Sequence, residues 1–283
     1  MMRAGHCGDG GTTGTDLPRR RLRSLFVSDL HLGTGAARAR EFLEFLRATE
    51  AETIYLVGDI FDIWHPALLT WSPAHDAILT ELAQRAAAGT RVVYLPGNHD
   101  AALRNFVGIG AQALIGGRFE LHDSVTHVAA DGRRYLVLHG DQCDARILRW
   151  HVMTRIGSRI DAGLRRFDRW LLRLLRRPAE QGAVEFLRRG LEALLLVGNR
   201  FETRLVALAR SSGHEGVICG HFHRAALRDH DGATYANCGD WVDSLTALAE
   251  LPDGSLQLMG WAALAAPTAE TGRPADTGLG LPA

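Results

Sequence analysis

Residues 24–59 read SLFVSDLHLGTGAARAREFLEFLRATEAETIYLVGD, a strand, a helix and a second strand in succession. Ser24–Ser28 and Thr53–Val57 are short apolar runs of the kind buried on both faces of a parallel sheet. Between them, residues 37–49 have helical spacing at Phe42, Leu43, Phe45 and Leu46. The pattern continues outward. Residues 74–88 predict a second helix, with Ile78, Leu79 and Leu82 on one face and Gly89 as its stop, and Arg91–Leu95 a third strand. This alternation is the signature of parallel pairing in an α/β fold. Polar residues follow each strand, where open α/β sheets place their sites.

Beyond residue 118 the pattern changes. Short strands are predicted at 119–121, 124–129, 134–139, 217–219, 225–229, 234–237, 246–251 and 255–261. Asp131-Gly132, Asp231-Gly232 and Pro252-Asp253-Gly254 are their turns. These strands predict a mostly antiparallel second sheet. A helical insertion, residues 144–210, interrupts them: Leu148, Val152, Ile156 and Ile160 recur every four residues, Pro178 breaks the run, and Leu187, Leu191, Leu194, Phe201, Leu205 and Leu208 resume it. The expected organisation is a disordered leader over 1–22, one domain over 23–262 that contains the insertion, and a flexible tail over 263–283.

The formal net charge of zero conceals a segregation. Residues 144–210 carry 15 Arg against 7 Asp and Glu, or +8, and the remainder carries 17 Arg against 25, or −8. This excludes a uniformly basic nucleic-acid binder and an acidic disordered chain. The cationic residues are all arginine, a compositional bias whose consequence is that every cationic contact is a guanidinium, well shaped for phosphate. The four cysteines have no CxxC spacing and read as reduced thiols, with Cys143 and Cys219 as small buried residues. Arg19-Arg20-Arg21 is followed only by the apolar Leu25-Phe26-Val27, too short for a targeting signal, and no run approaches the 18 or so apolar residues of a membrane span.

Five polar clusters follow strands: Asp29-Leu30-His31, Gly58-Asp59 with Asp62, Gly97-Asn98-His99-Asp100, His139-Gly140-Asp141 and Gly220-His221-Phe222-His223. One alone is a weak signal, because a lone DxH or GD is common. Together they mix carboxylate, imidazole and amide oxygen, the donors that suit Mn²⁺, Fe²⁺ or Zn²⁺. They outnumber what one ion needs, which points to two ions sharing a carboxylate. Asp100 and Asp141 read equally well as carboxylates that fix imidazole tautomers or as turn formers. Asn237, Asp240 and Trp241 either line the site or form a β-turn with an aromatic core anchor. His65, His75, His122, His127, His151, His214 and His230 fall outside the clusters and receive no role.

In this order DLH, GD, GNHD, HGD and GHFH resemble the calcineurin-like metallophosphoesterase superfamily, over roughly residues 24–261. DLHLG, GDIFDIW, HGDQCD, GHFHRA and NCGDWV make the chain most similar to the UDP-2,3-diacylglucosamine pyrophosphohydrolase group of lipid A biosynthesis and its relatives. The resemblance implies a four-layer α/β/β/α sandwich of two mixed sheets, with the helical insertion as a cap or lid. It implies two divalent ions, Mn²⁺ first and Fe²⁺ or Zn²⁺ as alternatives. Asp29, His31 and His223 would hold one ion, Asn98, His139 and His221 the other, and Asp59 would bridge them. His99 would be the general acid and Asp62 would orient it. The implied activity is cleavage of UDP-2,3-diacylglucosamine to UMP and 2,3-diacylglucosamine 1-phosphate. The alternatives are a general phosphodiesterase or phosphomonoesterase on soluble nucleotides or sugar phosphates, and a non-catalytic scaffold of the same fold.

One position departs from the group. Its best-known members carry Arg after the motif Asn, whereas this chain carries His99, the pattern of the wider superfamily. The resemblance implies that this residue faces the scissile phosphate, so the departure bears on the substrate. The arginine-rich insertion supports two readings: a helical hairpin with a solvated arginine face, or a lid that holds acyl chains and meets an anionic membrane surface. In the second, Arg149, Arg166 and Trp170 contact substrate. The expected location is the cytoplasm, peripheral to the inner membrane, with no nucleic-acid partner and no obligate protein partner.

Overall fold

The computed structural model describes residues 19–62, 69–107, 119–143 and 201–265. Strand β1 (Arg20–Val27), helix α1 (Ala39–Ala48), β2 (Thr49–Val57), α2 (Pro73–Ala87) and β3 (Arg91–Leu95) realise the alternation read from the sequence. β2 starts four residues before its apolar run, because Thr49 and Ala51 are buried while Glu50 and Glu52 face solvent. β1 likewise begins at Arg20, inside the expected leader, and Arg20–Leu22 pair with Thr49–Ala51. In α2, Pro73 takes the first turn and Ser72 with His75 forms a capping box. Ile78 and Leu82 are buried as expected, but Leu79 is exposed at the fringe of the stripe.

The remaining strands are β4 (Phe119–Leu121), β5 (Val125–Val128), β6 (Arg134–Val137), β7 (Gly216–Cys219), β8 (Ala226–His230), β9 (Ala233–Asn237), β10 (Thr246–Glu250) and β11 (Leu256–Gly260). They do not form one mostly antiparallel sheet. A six-stranded sheet has the order β11-β10-β1-β2-β3-β4, and a five-stranded sheet the order β5-β6-β7-β9-β8. β4 extends the parallel set beside β3, and β10 covers the open edge of β1 antiparallel to it. Hairpins account for the β5–β6, β8–β9 and β10–β11 pairs, while β6–β7 and β7–β9 are parallel. Both sheets are therefore mixed.

Side-chain alternation builds the layers. On the first sheet, Leu25, Val27, Ile54, Leu56, Val92 and Tyr94 pack with Phe42, Phe45, Ile78 and Leu82 of the helices. Their neighbours Phe26, Tyr55, Val57, Val93 and Leu95 face Tyr135, Val137, Ile218 and Ala236 of the second sheet. The outer face of that sheet, Leu136, Val217, Cys219 and Tyr235, packs on Phe201, Leu205, Val206 and Ala209. These last residues belong to helix α3 (201–211), the described end of the insertion. It is a core layer of the domain, with Leu208 turned to solvent. A short helix α4 (Trp261–Ala265) follows β11. The order is α/β/β/α, as the resemblance implied; the rest of the insertion lies outside the described residues.

A buried polar network crosses the inter-sheet layer near Ser24, opposite the carboxyl end of β1. Glu250 Oε1 accepts from Arg23 Nη1 at 2.5 Å and from the Ala130 N–H at 2.8 Å, and Oε2 lies 2.9 Å from His127 Nε2. His127 Nδ1 in turn meets Tyr55 Oη at 3.1 Å. Burial raises the Glu250 pKa, but hydrogen bonds from His127, Ser24, Ala130 and Arg23 outweigh it and lower the value to about 2. A depressed folded pKa gives stability that is present above the unfolded value and lost as pH falls through the folded one. Glu250→Gln is expected to cost about 3 kcal/mol at pH 7. In urea unfolding, the gap from wild type should narrow as pH falls from about 4.5 toward 2, the span between the two pKa values.

Candidate dinuclear metal centre

β1, β2 and β3 are parallel neighbours, as are β6 and β7, so their carboxyl ends deliver the five clusters to one place. Pairing persists beyond the strands: the N–H groups of Asp29, His31 and Leu32 donate to the carbonyls of Gly58, Asp59 and Ile60 at 3.0, 2.9 and 2.8 Å. In the second sheet the Gly220 N–H donates to the His139 carbonyl at 3.1 Å. Asp29, His31, Asp59, His221 and His223 all have left-handed backbone, with φ between 47° and 71°. Each such residue is strained by about 1 kcal/mol, and Asp and His tolerate the region better than most. Such strain concentrates at functional sites. It also resolves the spacing of His221 and His223, which would share a face on a regular strand. Both lie in the loop after Cys219, and the left-handed turns send them to different partners.

Three donor groups result among the described residues, one of them His31, Asp62 and His99, which shares His31 with the first of the other two. Asp29, His31 and His223 form that first one, and Asp59, His139 and His221 the other, with the donor atoms of each group within 4.8 Å of one another. His223 Nε2 lies 3.1 Å from Asp29 Oδ1 and 3.3 Å from His31 Nε2. His139 Nε2 lies 3.3 Å from Asp59 Oδ2. Asn98 is buried in the loop between Gly97 and His99, where it offers an uncharged oxygen donor. His99 Nδ1 lies 3.1 Å from Asp62 Oδ2, and its Nε2 lies 4.0 Å from Asp59 Oδ2. The same Asp62 oxygen is 3.8 Å from His31 Nδ1.

The electrostatics are those of a cation site. Burial opposes charge on His139, yet Asp59 and Asp29 hold its pKa up to about 10. Burial likewise opposes charge on His223 and His99, and Asp29 and Asp62 respectively raise them. In the other direction, burial raises Asp29, Asp59 and Asp62. His223 lowers Asp29, His139 carries Asp59 well below the usual carboxylate range, and His31 and His99 do the same for Asp62. His139 Nδ1 meets the Val57 carbonyl at 2.8 Å. With one ring proton in that bond, Nε2 faces Asp59 Oδ2 at 3.3 Å, where either a second ring proton or a divalent ion in its place can lie between the two. Imidazole nitrogen and carboxylate oxygen at these separations suit divalent ions with bonds of about 2.0–2.2 Å.

The supporting residues differ from expectation in detail. Among the described residues Asp100 hydrogen-bonds no imidazole. Its oxygens accept from the N–H groups of Gly97 at 2.6 Å and Ile60 at 2.9 Å, and from Tyr94 Oη, tying the Asn98 loop to the Asp59 loop. Asp141 pairs with Arg104, whose Nη1 and Nη2 donate to its two oxygens at 2.9 and 2.8 Å. Asp240 Oδ1 accepts from the Val242 N–H at 2.8 Å and so forms a turn, and Trp241 is a core anchor with ring centroids 4.8 Å from Phe42 and 4.9 Å from Phe45. Asn237 Nδ2 donates to the Gly220 carbonyl at 2.7 Å, holding the loop that carries His221. Ser28, which the sequence did not flag, sits with Oγ 2.5 Å from Asp29 Oδ2 and 2.7 Å from the Val57 carbonyl. Cys219 and Cys238 are buried and Cys143 is half-buried. Arg149, Arg166 and Trp170, with His65 and His151, lie outside the described residues.

A four-layer sandwich with these donors gathered at the strand ends is a metal-dependent phosphoester hydrolase. The chain belongs to the calcineurin-like phosphoesterase family, whose model matches residues 22–225. A UDP-2,3-diacylglucosamine hydrolase of Ralstonia nicotianae is 32% identical over 227 residues, covering 76% of this chain and 82% of its own. One from Aromatoleum aromaticum is 29% identical over 235 residues, covering 78% and 88%. A solved archaeal phosphodiesterase aligns with a TM-score of 0.43 at 14% identity, over 83% of this chain and 98% of its own.

Proposed function

We propose that the protein hydrolyses the pyrophosphate bond of UDP-2,3-diacylglucosamine, releasing UMP and 2,3-diacylglucosamine 1-phosphate. The supporting observation is that relatives of that name match over more than three quarters of both chains. In this reading Asp29, His31 and His223 would hold one divalent ion, Asn98, His139 and His221 would hold the second, and Asp59 would be shared between them. Divalent ions held there, Mn²⁺ in this proposal, would supply charge neutralisation at the phosphoryl oxygens and a lowered pKa for the water that attacks the nucleotide α-phosphorus. Asp62 accepts the Nδ1 proton of His99 and fixes the ring. His99 Nε2 then delivers a proton to the oxygen that leaves with the sugar phosphate.

The protein acts in the cytoplasm at the inner membrane surface, where its lipid substrate lies. Among the described residues no helix is long and apolar enough to cross a membrane. Arg149, Arg166 and Trp170 of the insertion are the proposed contacts to substrate and to anionic lipid.

His99→Gln is expected to lower kcat by about 10²–10⁴ on a substrate whose leaving group needs a proton. The loss should be much smaller with p-nitrophenolate as leaving group. Equal losses on the two substrates would remove His99 from the acid role.

His99 also favours a second reading, a phosphodiesterase or phosphomonoesterase for soluble esters, because GNHD is the wider family's form. A Mn²⁺-supplemented assay decides, with UDP-2,3-diacylglucosamine beside UDP-sugars and cyclic nucleotides. UMP release from the lipid in preference to the soluble compounds is the expected result. Brisk turnover of a soluble ester with none of the lipid would establish the second reading.

A further inference from the structure

We propose that Arg104 is a positioning residue for one ion of the pair: it locks the Asn98 loop to the His139 loop and so sets the affinity of the ion these loops share. The inference rests on the ligand assignment proposed above.

Arg104 lies in a 3₁₀ turn, Ala101–Phe106, directly after the Asn98-His99-Asp100 motif. Besides its two bonds to Asp141, its Nη2 donates to the Pro96 carbonyl at 2.8 Å. Pro96 ends the segment after β3, two residues before Asn98, and Asp141 follows β6, two residues after His139. One guanidinium therefore joins the ends of strands from opposite sheets. A forked, two-bond contact fixes angle as well as distance, which a single charge contact does not. Asp141 is only 5% exposed at its side chain and Arg104 27%, so solvent screens the pair little. On its outer side Arg104 Nε lies 3.5 Å from Asp123, which holds the stem in place.

The other donor group has a separate tie. The His221 N–H donates to Asp29 Oδ2 at 3.0 Å, joining the Asp29-Leu30-His31 loop to the loop that carries His223. No contact of Arg104 enters that tie. Loss of the guanidinium should loosen the placement of Asn98 against His139 and leave Asp29, His31 and His223 together.

Equilibrium Mn²⁺ titration of the full chain tests this, with ion counting by calorimetry and by electron paramagnetic resonance. Wild type is expected to bind two ions. Arg104→Gln should bind the first with wild-type affinity and the second about 10–100-fold more weakly, the range seen when a ligand's support is removed. Excess Mn²⁺ should restore its turnover. Arg104→Lys should fall between the two. Asp141→Asn, nearly isosteric, should match Arg104→Gln, and the double variant should be no weaker than either single one. An unchanged second ion, or equal weakening of both ions, would overturn the proposal. A wild type that binds fewer than two ions would refute the ligand assignment, and the proposal with it.

Discussion

Asp59→Asn is expected to reduce Mn²⁺-dependent turnover of bis-p-nitrophenyl phosphate on the order of 10³-fold or more, a loss of at least about 4 kcal/mol in transition-state stabilisation. The substitution keeps size and shape. An amide oxygen can still accept the His99 N–H, which now reaches Asp59 Oδ1 at 2.7 Å. What disappears is the buried negative charge facing His139 at 3.3 Å. In the proposed two-ion site that charge would also draw the second cation into the group containing His139 and His221. Ion counting should fall from two to one, or to weak binding at both sites. Activity within about tenfold of wild type, a cost near 1.4 kcal/mol, would mean that Asp59 is not shared between ions.

The second large effect is expected at Gly97. A Cβ there would lie 2.2 Å from Asp59 Oδ1, 2.6 Å from the Asp59 backbone nitrogen and 2.7 Å from His139 Cδ2. The nitrogen cannot move without shifting the end of β2, so the methyl group must push Asp59 and His139 apart. Gly97→Ala is expected to lower turnover about 10²-fold or more, as a displacement near 1 Å in an active site does. The unfolding free energy should fall by only about 1–3 kcal/mol, the usual cost of overpacking. Gly132→Ala is the control. It sits in a hairpin turn at φ +87° with nothing within 4 Å of an added Cβ, so it should strain the turn and leave turnover unchanged. A fully active Gly97→Ala enzyme would show that the loops around Asp59 are more pliant than their contacts imply.

Much of this arrangement was legible in the sequence, for reasons that particular residues illustrate. Phe26 and Tyr55 point between the sheets while Leu25 and Ile54 point to the helices, so the strands read as unbroken apolar runs. The five clusters stood out because each follows such a run. The partition of strands was not legible. Ala247, Leu248 and Ala249 look the same whether β10 pairs with β11 alone or also closes the edge of β1. Thr49–Glu52 alternates correctly as a strand but contains too little apolar surface to be noticed.

Within the site, the donors were visible and their supports were not. Arg104 and Asp141 are 37 residues apart, and no periodicity links them. Asp100 was flagged by its place after His99, but only the fold shows that its carboxylate serves backbone N–H groups. His75 and His127, outside every motif, turn out to cap a helix and to pair with Glu250.

The most direct measurement follows the oxygen atom. UDP-2,3-diacylglucosamine is incubated with the Mn²⁺-loaded protein in ¹⁸O-labelled water, and the products are read by mass spectrometry. Attack at the α-phosphorus predicts one ¹⁸O in UMP, none in the sugar 1-phosphate, and no reaction after chelation until Mn²⁺ is restored. Label in the sugar phosphate, absence of UMP, or turnover that survives the chelator would contradict hydrolysis of this substrate at the proposed two-ion centre.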